Sequence, residues 1–340
     1  MQRIIWVDII KCTAIWLMVL GHANLNNNVC NILINAFHMP IFFFASGLFI
    51  KQNKLKIHLA KDSKALLQPY FICSLLALSI CWISPMLHPE LYPGINTFFD
   101  IFKHAIIGIF IMEDKVTNYS FLPYGPLWFL PSLFIARLFF QLVIRICTNK
   151  SSLILMLSGL ISIVLYYNAR NYNFLSIDST FMCYPFLLLG YFFNKISLQD
   201  LLNKVKYILV LPLGIIFYLL SIKNGLVNVD GGIYGNHLIL FYMNALLGIL
   251  FLICFIFCCN FKKATTISFL GQNSLIVLII HGYILIPIKV LLKLAHFDLI
   301  NLHLSISILI SLLVMFISYY LSKIILKYIP FIVGKTKLSK

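Results

Sequence analysis

Ten apolar runs, each close to the length of a membrane span, set the terms for this chain. They lie near 4–24, 30–50, 66–85, 124–146, 152–168, 178–194, 207–222, 237–259, 273–293 and 303–325. A helix needs about 20 residues to cross the hydrocarbon core of a bilayer, so ten of them use about 200 residues. With 340 residues in the chain, the connecting loops are short. Composition agrees, with 61% of the residues apolar and 11% charged. A soluble domain is about 45–50% apolar and about 25% charged. Those numbers exclude a water-soluble globule, and disorder too, because disorder needs low hydrophobicity. The expected fold class is all-α: a polytopic membrane protein of about ten transmembrane helices, with residues 1–340 as a single transmembrane domain.

Charge orients these helices. The chain carries 26 Lys and Arg against 10 Asp and Glu. Such a balance can mark a nucleic-acid binder, but polytopic proteins become basic by collecting Lys and Arg in cytoplasmic loops. The densest basic loop holds Lys51, Lys54, Lys56, Lys61 and Lys64, so it is expected inside the cell, with the first span running outward. Residues 98–112 are apolar but short, and Asp100, Lys103 and His104 share one face there. If that segment lies on the outer interface instead of spanning, the basic residues from Lys150 onward divide eleven inside to four outside. That split favours an interfacial helix and an N-in, C-in protein of the inner membrane. Asp8 and Lys11 interrupt any signal-peptide core, so the first span is expected to be retained. Nine cysteines occur without a CxxC pair. Most sit in apolar runs and read as small buried hydrophobes. No zinc-site spacing, phosphate-binding glycine loop or nucleophile elbow is present, so no metal is expected.

An ionisable residue inside a span is a functional candidate by default. In the first span Asp8 and Lys11 are one turn apart and can pair. Lys11 and His22 are eleven residues apart, which puts them on one face and roughly 16 Å apart along the axis. The alternative reading makes Asp8 and Lys11 markers of the cytoplasmic interface and His22 of the outer one. The second span carries His38, the kinking Pro40 and the small pair Ser46-Gly47. In the fourth, Arg137, Gln141 and Arg145 fall at i, i+4 and i+8. Arg145 is placed to snorkel, whereas Arg137 lies near mid-membrane.

Taken together, the first two spans resemble the acyltransferase-3 family of integral membrane O-acyltransferases. A basic residue, ten residues and then His is the family's first-helix signature, met by Lys11 and His22, with Asp8 three residues earlier. Phe37-His38-Met39-Pro40, Phe42-Phe43-Phe44 and Ser46-Gly47 look like its second-helix motif. Leu127-Trp128-Phe129-Leu130-Pro131, and Gly271-Gln272-Asn273-Ser274 with His281, resemble blocks of the subgroup related to sugar O-acetylases. The family usually has Arg where this chain has Lys11, and often a basic pair before the third helix, here Lys61 and Lys64. Lys binds phosphate as a point charge rather than bidentately.

The resemblance implies transfer of an acyl group, foremost acetyl, from cytoplasmic acyl-CoA to a hydroxyl of a cell-surface polysaccharide or its lipid-linked precursor. Such chemistry needs a base for the hydroxyl proton, and an imidazole suits that role. His22 is the expected base or, alternatively, a relay that carries the acyl group. Asp8 is roughly 21 Å from His22 along the helix, too far to orient it. An orienting partner must come from another helix, and His38 is one candidate. Lys11, Arg137, Arg145, Lys61 and Lys64 are the residues expected to hold the donor's pantetheine arm and phosphates. The competing function is a transporter or flippase of a lipid-linked sugar. The Lys11–His22 spacing with the His38 block favours the enzyme, and the absence of an internal repeat weakens the transporter.

Overall fold

A computed structural model describes residues 5–23, 28–51, 55–82, 97–112, 120–146, 152–169, 175–195, 198–259, 261, 265–296 and 303–335. The helices in chain order are α1 (Ile5–His22), α2 (Asn28–Leu48), α3 (Leu55–Asp62), α4 (Gln68–Ala77), α5 (Phe98–Ile111), α6 (Phe129–Ile146) and α7 (Ser152–Ala169). They continue as α8 (Ile177–Lys195), α9 (Leu198–Asn224), α10 (Leu238–Cys259), α11 (Thr265–Gln272), α12 (Ser274–Leu294) and α13 (Leu304–Tyr328). Seven segments among the described residues are long and apolar enough to span a membrane: α1, α2, Gly125–Arg145, Leu202–Asn224, α10, α12 and α13. The protein is thus an all-α, polytopic membrane protein. One departure is a two-residue antiparallel ribbon, β1 (Val227–Asn228) with β2 (Ile233–Tyr234), in which Val227 faces Tyr234.

The run at 66–85 differs most from expectation. Its helix α4 gives way at Ala77 to turns closed by Leu78, Ser79 and Ile80 N–H groups on carbonyls three residues back. The run at 98–112 does form a helix, and Asp100 belongs to its start. Thr97 Oγ1 accepts from the Asp100 N–H, and the Asp100 carboxylate accepts from Thr97 N–H at 3.1 Å. This is a capping box, so Asp100 satisfies orphan donors of the first turn. Phe98, Phe99 and Phe110 of the same helix are exposed, which suits an apolar face turned to lipid.

The chain divides into two compact units. The first comprises Met1–Phe49, Leu189–Asn228 and Ile233–Ile324; the second Ile50–Leu188, Val229–Gly232 and Ile325–Lys340. In the first unit α1 packs against α2, α10, α11 and α12, and α9 against α10. Close approach depends on small residues, as membrane helix contacts require. Gly190 lies on the Phe44 carbonyl and Gly271 on the Asp8 carbonyl, where a Cβ would have no room.

In the second unit α3 runs into a π-helical turn, Ser63–Leu67, and then into α4. Gln68 N–H reaches back five residues to the Ser63 carbonyl. The cause is Pro69, which has no N–H and whose ring would collide with the carbonyl four residues earlier in a regular helix. Widening one turn relieves both problems. The 3-10 turn Pro330–Val333 packs on α4, with Gln68 Nε2 donating to the Phe331 carbonyl at 2.6 Å.

Candidate active site

The chemistry-bearing residues gather at two places in the first unit and at one in the second. In the first unit His22, the last residue of α1, is exposed. The ring of His281, from the middle of α12 and only 1% exposed, lies against it. Their centroids are 5.3 Å apart and their planes are inclined by 32°. His38 of α2 is half-buried and near enough to His22 to interact electrostatically, as is Lys289 of α12.

The backbone sets the tautomers. His281 Nδ1 is 2.8 Å from the Leu278 carbonyl, and His38 Nδ1 is 3.0 Å from the Ile34 carbonyl. A carbonyl oxygen only accepts, so each Nδ1 carries a hydrogen. In the neutral ring Nε2 then keeps its lone pair. His22 therefore stands among imidazoles that present acceptors. Of these residues His38 is the candidate that the second-helix motif offers. His281 reads in sequence as a helix contact, seven residues after Ser274, and only the packing of α12 on α1 turns it toward His22.

At the other end of α1, Asp8 is 7% exposed. Its Oδ1 lies 3.8 Å from Lys11 Nζ, so the one-turn pair is present. Its Oδ2 accepts from Ser268 Oγ at 3.0 Å and from Gln272 Nε2 at 2.9 Å, both on α11. The Gly271-Gln272 block thus acts through Asp8: glycine admits the backbone of α1, and the next side chain bonds the carboxylate. Lys11 is half-buried one turn from that anchor.

In the second unit Arg137 is already engaged. Its Nε and Nη2 donate to the two carboxylate oxygens of Asp62, at 2.8 and 3.0 Å. This bidentate pair joins α6 to the last residue of α3. His58, one turn earlier and 5% exposed, has Nδ1 2.8 Å from Asp62 Oδ2. Burial holds the His58 imidazole below its ordinary pKa. Asp62 pulls the other way, but its charge is matched by Arg137, which with Lys61 pushes His58 further down. His58 and Asp62 escape the sequence reading because their partner is 75 residues away. The local signal is the i, i+4 spacing of His and Asp. Gln141, on the Arg137 face of α6, donates from Nε2 to the Lys51 carbonyl at 2.7 Å. Lys61, Lys64 and Arg145 are exposed. No group of three metal-ligating side chains occurs among the described residues.

Neither a curated protein nor a solved structure matches the chain significantly. The acyltransferase-3 family model, described as an acyltransferase domain, matches residues 4–323. That span takes in α1 with Lys11 and His22, α2 with His38, and the His58–Asp62–Arg137 group, so the chain belongs to the acyltransferase-3 family.

Proposed function

We propose that the protein is an O-acyltransferase that moves an acyl group, foremost acetyl, from cytoplasmic acyl-CoA to a hydroxyl of a surface polysaccharide or its lipid-linked precursor. The observation that carries this reading is the exposed His22 beside His281, with His38 in electrostatic reach. His22 takes the proton of the acceptor hydroxyl as its oxygen attacks the thioester carbonyl. The C–O bond forms, the C–S bond breaks, and the imidazolium returns its proton to the CoA thiolate. His281 holds the His22 ring in place, and His38 lines the acceptor side. Asp8 is a positioning residue that fixes Lys11 and α11. Lys11, Lys61, Lys64 and Arg145 serve the anionic donor, while Arg137 works through its pair with Asp62. The test is the O-acylation of surface glycans in cells with and without the chain, together with acyl transfer by the purified protein. Unchanged glycans and no transfer would remove the reading. Acyl label that stays on the protein would make His22 a covalent relay.

The topology that accompanies this reading has ten spans, both termini inside and α5 on the outer interface. It rests on the eleven-to-four division of basic residues. A cysteine placed at Lys195 should react with impermeant thiol reagent only after the cytoplasmic side is opened. Labelling of intact cells would overturn the orientation.

Lys11→Ala should raise the KM for acyl-CoA or abolish transfer, because Asp8 is then left as a buried carboxylate beside the donor end. Lys11→Arg keeps the charge and should retain much of the activity. A fully active Lys11→Ala protein at normal expression would remove the role.

A further inference from the structure

Helix α12 carries a cation that a membrane span does not need. Lys289 lies within Ser274–Leu294, a segment long and apolar enough to cross a bilayer. A charge inside a span is costly and marks function by default. Lys293, one turn on and near the end of α12, is exposed and placed to snorkel to the interface. Lys289 is half-buried instead. It follows His281 by two turns, about 12 Å along the axis. Helical side chains lean toward the N-terminal end, so the Lys289 stem runs back toward His281, away from that interface. Its charge acts on both of the adjacent rings, His22 and His281.

The imidazoles around His22 leave one task of acyl transfer undone. When a hydroxyl attacks a thioester, the carbonyl π electrons move onto the carbonyl oxygen. That oxyanion needs hydrogen-bond donors or a positive charge aimed at it. His281 and His38 are unsuited to this. Each commits its Nδ1 hydrogen to a backbone carbonyl, of Leu278 at 2.8 Å and of Ile34 at 3.0 Å, and a neutral ring has no second N–H. What they present is a lone pair, which repels an oxyanion. An ammonium has three donors and a full charge. In a half-buried position that charge is screened less than on an open surface. Lys289 thus has the chemistry that the neighbouring imidazoles lack.

We infer that Lys289 is a further catalytic residue, whose ammonium donates to the thioester carbonyl oxygen as that oxygen becomes an anion beside His22. This rests on the acyltransferase reading above. The acceptor oxygen bonds to the carbonyl carbon, its proton passes to His22, and the carbonyl π pair goes to the oxygen held by Lys289. On collapse the pair returns to the carbonyl, the C–S bond breaks, and the CoA thiolate takes the proton back from His22. At the tetrahedral stage the oxyanion lies between two cations, the His22 imidazolium and the Lys289 ammonium. Its attraction to both offsets their mutual repulsion.

Turnover of acetyl-CoA by the detergent-solubilised full chain is the test, with water as one acceptor and a glycolipid extract of the cells that carry the chain as the other. Lys289→Met removes the charge at similar length and suits a span better than Lys. It should lower kcat about 10²–10³-fold with both acceptors, the usual loss for one oxyanion donor, with little change in the KM for acetyl-CoA. Its melting temperature should not fall. Lys289→Arg keeps a cation with N–H donors and should recover most of the loss. Lys289→Met combined with His22→Ala should lose little more than His22→Ala alone, because both groups act on one transition state. If activity in the Met and Arg variants merely follows the amount of folded protein, Lys289 is structural and the proposal fails. If Lys289→Met keeps the hydrolysis rate and raises only the KM for the extract, Lys289 holds an anionic group of the acceptor. The proposal is then wrong while the acyltransferase reading stands. A wild type that turns over acetyl-CoA with neither acceptor overturns the reading and the proposal together.

Discussion

His22→Ala is expected to lower acyl transfer per folded molecule by about 10²–10⁴-fold, the usual contribution of a general base. Insertion and folding should be largely kept, because the side chain is exposed and ends α1 instead of filling a core. His22→Gln is the sharper test. It matches the polarity and much of the shape of the ring but takes no proton at neutral pH, so it should be as inactive as alanine. A packing histidine behaves differently: activity would follow the amount of protein, and Gln would restore it. The measurement is transfer from acyl-CoA by monodisperse protein, normalised to folded chain. Near-normal turnover in either variant would place the chemistry on another residue, with His38 next in line. His281→Gln should fall between the wild type and His22→Ala, since His281 touches the ring of His22 without being required to hold the proton.

What the sequence makes legible here is whatever repeats over a short distance. Apolar runs of membrane length become helices, and seven of them keep the length and composition of spans among the described residues. The Asp8–Lys11 spacing becomes a pair at 3.8 Å because both ends sit on one helix. Asp100 shows how a local pattern can be read on the wrong template. Its spacing to Lys103 and His104 suggests a polar face, while the Thr97-x-x-Asp100 signal behind it decides the outcome as a capping box. Long-range pairings leave no such trace. Asp8 meets Ser268 and Gln272 some 260 residues away, and Asp62 meets Arg137 across 75. Arg137 stands out as a charge in a span, but nothing near it in sequence names its counter-charge. The shortening of the 66–85 run at Ala77 has no visible marker either, since Leu78-Ser79-Ile80 continues apolar.

Arg137→Ala gives the largest stability change expected and flattens its dependence on pH. The pair is nearly dry, with Asp62 7% and Arg137 18% exposed at the side chain, and is bonded through two nitrogens. Removing one member of such a pair leaves an uncompensated charge and costs about 3–5 kcal/mol. His58 decides the pH response. In the wild type burial keeps its folded pKa below the ordinary value of about 6.5. The unfolded chain then binds more protons, so this contribution to stability is complete above about pH 6.5 and is lost as pH falls toward the folded value. Without Arg137, one downward push on His58 is gone while Asp62, 2.8 Å away, still pulls its pKa up, so the His58 pKa moves back toward the ordinary value. The excess of protons bound by the unfolded chain shrinks, and with it the part of the stability that is lost as pH falls below about 6.5. Thermal unfolding of detergent-solubilised protein between pH 5 and 8 should therefore depend on pH less steeply for Arg137→Ala than for the wild type. Asp62→Leu with Arg137→Met removes both charges and should recover most of the lost stability. A loss under about 1 kcal/mol for Arg137→Ala, as for a solvated surface pair, or parallel pH profiles, would show that the Asp62 carboxylate is not held in balance between His58 and Arg137.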